Sequence, residues 1–203
     1  MKKIIIITAA VLASVSVASI SQALLANSGH DLTANGGTAT QICLPCHTPH
    51  NADTTIADAP LWNHTATGVT DYDMYASDTF TGTAIDGVGG QPTGVSKLCL
   101  SCHDGTVAPD SYTGHAGTMP KLTAGVGNGG LGTDLRKSHP ISFTFDADLV
   151  TTDGELKLPP DGWMSGTKFE CSSCHDVHNK GEHGAMLHIS NDASALCLSC
   201  HKK

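Results

Sequence analysis

The cysteines carry the most distinctive chemistry in the sequence. All eight fall in pairs with two residues between the members, and every pair runs straight into a histidine. The four runs are Cys43-Leu-Pro-Cys46-His47, Cys99-Leu-Ser-Cys102-His103, Cys171-Ser-Ser-Cys174-His175 and Cys197-Leu-Ser-Cys200-His201. C-x-x-C-H is the attachment motif of c-type haem. The spacing follows from the reaction. Two thiols one helical turn apart reach the two vinyl groups of one porphyrin, and the adjacent imidazole turns under the ring to ligate iron. Four covalently bound c-type haems are therefore expected, with Cys43, Cys46, Cys99, Cys102, Cys171, Cys174, Cys197 and Cys200 as the thioether positions.

Other cysteine chemistries fit less well. Disulfides suit an exported chain but give no reason for a histidine after every second cysteine. Structural zinc uses C-x-x-C pairs, yet four pairs that each trail a histidine leave those histidines over. A thioredoxin-like couple needs one motif in a βαβ unit, not four in Gly-rich coil.

His47, His103, His175 and His201 are the expected proximal iron ligands. Of the 12 histidines, His30, His50, His64, His115, His139, His178, His183 and His188 remain. Four irons need at most four of these, so the surplus points to bis-His rather than His/Met coordination. Met74, Met119, Met164 and Met186 are the rival ligands, and their expected place is against haem edges as gap-fillers. His50 follows His47 by three residues, and His178 follows His175 by three. Residues three apart on a helical turn share a side, whereas the two axial ligands of one iron approach from opposite faces. His50 is therefore expected to reach an iron other than that of His47, and His178 an iron other than that of His175. Asp31 stands where it can polarise His30. Pro140 stiffens the chain after His139. Trp62, two residues before His64, is expected to pack on a porphyrin. His115, His183 and His188 read as solvated or supporting residues.

Short helical turns are expected at each motif, and little else is regular. Residues 104–138 read as a Gly/Thr-rich loop. Ile141-Ser-Phe143-Thr-Phe145 alternates and predicts a short strand with a local partner, and Leu158–Gly162 reads as a turn. The expected fold is mostly irregular and haem-organised, with short helices at the motifs and few short strands. Composition points the same way. The 203 residues are 39% hydrophobic and 4% aromatic, with 22 glycines. Such a chain drifts toward disorder unless something other than side chains fills the middle. Porphyrins supply that filling. The net charge of -8 leaves nothing to neutralise phosphates and argues against nucleic acid. Gly-rich stretches such as 125–130 lack the lysine of a phosphate-binding loop.

Lys2 and Lys3 precede an apolar run, Ile4 to Val17, and then small residues, the layout of a secretory signal peptide. Residues 1–23 are the expected leader, with cleavage after 23 or 26, and 24–203 a single tetrahaem domain. The rival reading, a retained anchor, suits the run poorly because it is short and Ser-diluted. Losing Lys2 and Lys3 takes the net charge from -8 to -10. The expected location is exported, extracellular or at the cell surface, with the periplasm as the alternative and no membrane anchor after cleavage.

Several segments, taken in order, resemble a known family. They are Gly-His30-Asp-Leu, Cys43-x-x-Cys-His-Thr-Pro-His50-Asn-Ala, Pro60-Leu-Trp-Asn, Leu98-Cys-Leu-Ser-Cys-His-Asp-Gly-Thr-Val-Ala, Ser138-His-Pro-Ile-Ser and Cys171-x-x-Cys-His-Asp-Val-His178-Asn. Together they are similar to exported multihaem cytochromes of the doubled-CXXCH type from metal-reducing bacteria. The nearest likeness is to tetrahaem members that polymerise into extracellular filaments. The resemblance implies four bis-His irons in a continuous stack. It implies that His50 completes a haem of the neighbouring subunit, and that His30, His139 and His178 fill the other distal roles. His64 is a reserve ligand, because related chains can carry another residue there.

Electron transfer is the leading functional expectation, since six-coordinate iron has no place for a substrate. The partners expected are further copies of the chain, other redox proteins and extracellular electron acceptors. A multihaem reductase would need one five-coordinate iron. A soluble periplasmic shuttle shares all of the haem chemistry and differs only in assembly.

Overall fold

Every C-x-x-C-H motif winds into a single helical turn. His47 N–H donates to Cys43 O at 2.8 Å, His175 N–H to Cys171 O at 3.1 Å and His201 N–H to Cys197 O at 2.9 Å. This i to i−4 bond turns the first cysteine and the histidine to one side of the chain. The second motif lies on a full helix, α1 (Gly94–His103). The third and fourth lie on 3₁₀ turns at Cys171–Ser173 and Cys197–Ser199. The expected helical turns are therefore present, and the chain is otherwise mostly irregular.

The computed structural model describes residues 25–84, 91–178 and 180–202. The leader expected over 1–23 lies outside these. Among the described residues no helix is long and apolar enough to cross a membrane.

The strands are two-residue pieces. β1 (Thr83–Ala84), β4 (Phe143–Thr144) and β5 (Lys168–Phe169) form one antiparallel sheet in the order β1-β4-β5. The strand expected within Ile141–Phe145 thus forms, but its partners are distant in sequence, not local. Its phenylalanines explain the choice. Phe143 pairs with Phe169 in register, and a cross-strand aromatic pair is worth more than a polar hairpin partner. The 104–138 segment also holds more order than a loop. β2 (Ser111–Tyr112) pairs with β3 (His115–Ala116) around Thr113-Gly114, with Gly114 at φ +79°. The Asp110 carboxylate, fully buried, accepts from Thr118 N at 2.8 Å and Met119 N at 2.9 Å and pins the strand end.

A second helix, α2 (Ala147–Asp153), was not expected from the sequence. Its signals are local: Asp146 caps it by accepting from Asp148 N and Leu149 N, and Gly154 ends it at φ +76°. A side-chain cap and a left-handed glycine are the usual boundaries of a short helix.

Two small apolar clusters supply the protein part of the core. Phe143, Phe145, Leu149 and Phe169 form one, with Phe80 against it, so all four phenylalanines meet in one place. Cys174 and Cys200 pack on the same cluster. The other cluster is Tyr72, Leu100 and Leu135. Tyr72 OH donates to Asp104 Oδ2 at 2.7 Å, which ties this cluster to the residue after His103. Truncating Phe143 to Ala is expected to cost about 3–5 kcal/mol, measured by denaturant unfolding of the haem-loaded protein followed in the Soret band.

Candidate haem centres

Among the described residues no disulfide joins any of the eight cysteines. Burial pushes the Cys46 and Cys174 thiols up to about 11. Among the described residues no three His, Cys, Asp or Glu side chains gather as an ion cage.

The histidines of the motifs are held by two devices. Backbone bridges fix three of them: His47 pairs with Trp62, His175 with Leu187 and His201 with Leu156. His103 O accepts from Leu131 N at 2.7 Å. Ring orientation is set separately. His47 Nδ1 donates to Pro60 O at 2.7 Å, His103 Nδ1 to Gly129 O at 2.7 Å and His175 Nδ1 to Ala185 O at 2.8 Å. A carbonyl only accepts, so each Nδ1 carries the proton and each Nε2 keeps its lone pair. This is how a metal-binding imidazole is oriented. None of these carbonyls has a side-chain signature, which is why sequence reasoning missed them.

Three motif histidines face a histidine from elsewhere in the chain. His103 faces His30 with ring centres 5.9 Å apart, His47 faces His178 at 6.2 Å, and His201 faces His139 at 6.4 Å. An imidazole nitrogen binds a transition metal at about 2 Å, with its ring centre roughly 1 Å behind, so two imidazoles clasping one iron have centres about 6 Å apart. The residues present therefore fit haem: a cysteine pair on a turn, an imidazole with its Nε2 available, and an opposing imidazole at the span of one iron. His139 Nδ1 donates to Pro140 O at 2.9 Å, which again leaves Nε2 for a metal. Burial, with His103 and His175 nearby, holds His30 down to about 4. Burial also lowers His178, against the pull of Asp176. Both shifts favour the neutral ring, the form that ligates.

The other candidates sit differently. His175 is exposed, and among the described residues no second histidine ring faces it. His50 is exposed on the turn after the first motif, where its N–H and C=O bond only to the Thr48 hydroxyl. His64 is buried at 2% exposure. Its Nε2 is turned to Ala108 O at 3.0 Å and to Cys102 Sγ at 3.3 Å, and it faces no motif histidine. Trp62 stands edge-on to His47 and beside His64. His115 stacks on Tyr112 and His188 on Trp163, so these two are packed rather than solvated. Asp31 does not polarise His30. Its carboxylate instead accepts from Asn27 N, Thr33 N and Ala34 N and shapes the turn. Met186, a rival ligand by sequence, lies with its Sδ against His30 Nδ1.

The motifs also touch one another in sequence order. Asn63 N donates to Cys46 O at 2.9 Å, while the next residue, His64, meets Cys102. Cys99 lies within hydrogen-bond reach of Cys171, and Ser96 Oγ accepts from Cys171 N at 3.1 Å. Cys174 and Cys200 share the phenylalanine cluster.

Residues 165–203 match the family model described as "Doubled CXXCH motif", a span that includes the third and fourth motifs. No curated protein matches the chain. The match supports a multihaem c-type cytochrome-like protein with covalently bound c-type haem and electron transfer as its work. Replacing Cys197 and Cys200 together by Ala is expected to lower the intact mass of the purified protein by one haem while the remaining haem stays attached.

Proposed function

We propose that the chain is a tetrahaem electron-transfer cytochrome and the repeating subunit of an exported filament. The axial pairs are His47/His178, His103/His30 and His201/His139, and His50 of a second copy completes the iron held by His175. The observation that carries the ligand assignment is the set of three ring separations, 5.9, 6.2 and 6.4 Å. Each joins one motif histidine to one histidine outside the motifs.

When bound, haem supplies an iron that changes charge by one electron. The residues do the rest. The two imidazoles of each pair would hold the iron and would leave no position for substrate. Carbonyls of Pro60, Gly129 and Ala185 lock the ring orientation and strengthen each imidazole as a donor. The contacts between motifs 1 and 2, 2 and 3, and 3 and 4, with His178 beside motif 3 reaching His47 of motif 1, support closely spaced haems. His64, the reserve ligand, is already engaged at Ala108 and Cys102, which supports leaving it out.

Two leftovers support the polymer. Among the described residues no second histidine ring faces His175, and no motif histidine faces His50. One sits at motif 3 and the other beside motif 1, so a second copy that joins them makes a head-to-tail contact. Contacts of that kind generate open filaments unless the rotation closes a ring. Export to the outside of the cell, with extracellular acceptors or other redox proteins as electron partners, follows from this reading.

The exposed His175 also favours one specific rival: a monomer, shuttle or reductase, with a single open iron at motif 3. One experiment separates them. In His50→Ala, negative-stain microscopy is expected to show no polymer, four haems are expected to remain by mass, and one haem per chain is expected to bind carbon monoxide when reduced. Wild-type polymer is expected to bind none. Unchanged filaments in His50→Ala would refute the assignment, and a wild-type monomer that binds carbon monoxide at one haem would favour the open-iron reading.

A further inference from the structure

Glu170 precedes the first cysteine of motif 3 and is only 1% exposed, a position carboxylates rarely occupy without a paired charge. Its Oε2 accepts from Ser96 N and from Ser142 Oγ, each at 3.3 Å. Its Oε1 is buried and has no hydrogen-bond partner. Its own N–H donates to Ser173 Oγ at 3.0 Å. Ser96 lies in the first turn of α1, Ser173 in the motif 3 turn, and Ser142 just before β4. The carboxyl thus sits at the joint between motifs 2 and 3, beside the Cys99 and Cys171 thiols. In the reading above, each of those sulfurs is bonded to the rim of its own haem.

We propose that Glu170 is a redox-linked proton site: its carboxylate takes one proton from solvent when a haem at motif 2 or 3 takes one electron, and releases it on reoxidation. This rests on haem attachment at those two motifs. The electron comes from the external reductant or electrode, the proton from water, and no other bond changes. The direction is electrostatic. Oxidised iron carries the extra positive charge and favours the carboxylate; its loss favours the acid. A unit charge about 10 Å away, at an effective permittivity of about 20, changes a proton affinity by roughly tenfold. Burial already pushes Glu170 above the ordinary glutamate range, against the opposing bonds from Ser96 and Ser142 and the charge of Lys168.

The charged groups that face it are few. Cys99 and Cys171 cease to titrate as thioethers, and Asp58 and Lys168 are paired with each other. Asp58 also gives an entry. Gly94, at φ +47°, places no side chain between the two acids, and a Cβ there would lie 3.5 Å from Glu170 Oε1 and 3.6 Å from Asp58 Oδ2. Asp58 reaches solvent with 38% of its side chain exposed.

Redox-difference infrared spectroscopy and potentiometric titration over pH, both on the haem-loaded protein, test this. Wild type is expected to gain a protonated-carboxyl C=O band on reduction and to show a haem wave whose midpoint falls as pH rises. Glu170→Gln keeps an acceptor for Ser96 and Ser142, and is expected to lose both the band and the slope. Ser142→Ala removes a bond that favours the carboxylate and is expected to move the slope to higher pH by up to about tenfold in proton affinity. A slope that survives unchanged in Glu170→Gln, or a wild type with no slope, overturns the proposal. Haem content is read on every preparation. A wild type short of haem at motif 2 or 3 overturns the attachment reading itself, whereas a full complement without a slope overturns only the proton site.

Discussion

The rest of the structure depends on one constraint: an imidazole must present its Nε2 lone pair in a fixed direction. A histidine ring is otherwise free to rotate and to hold its proton on either nitrogen. Here main-chain carbonyls remove that freedom at His47, His103 and His175. Those carbonyls come from stretches that look like filler in the sequence. The Gly-rich segment that ends at Gly129 and the Pro60 turn each place one oxygen, and their irregular course is what delivers it. A regular helix or strand would have used that oxygen in its own ladder.

The same constraint accounts for the small apolar core. With four phenylalanines in one cluster and a second cluster around Leu100, side chains alone bury little. Polar side chains substitute for oil at the joints: Asp104, Asp110 and Glu170 are each buried, Asp104 and Glu170 gather donors from separate segments, and Asp110 gathers them from Thr118 and Met119. Such buried acids are tolerated because nearly every oxygen is satisfied. The unpartnered Oε1 of Glu170 is the exception, and it lies where the second and third attachment turns meet. In a chain built to move charge, an acid at that joint responds to charge nearby.

Legibility differed from residue to residue. The four cysteine pairs and the histidine after each were readable as motifs because covalent haem attachment demands a fixed local spacing. That His178 lies against a motif histidine other than His175 was also readable, since residues three apart on a turn share one side. Which motif histidine it faces was not. His47 and His178 are joined only by the fold, and so are His103 with His30 and His201 with His139.

The sequence by itself determined the C-x-x-C-H spacing at each motif, the scarcity of regular structure and the excess of imidazole, because all three are properties of local spacing or composition. Tertiary structure decided the partners: the non-local pairing of β4, the carbonyls behind each imidazole, the burial of Glu170 and, among the described residues, the absence of a facing histidine at His175. These depend on segments brought together from far along the chain, and no short-range pattern encodes where a distant backbone oxygen will come to rest.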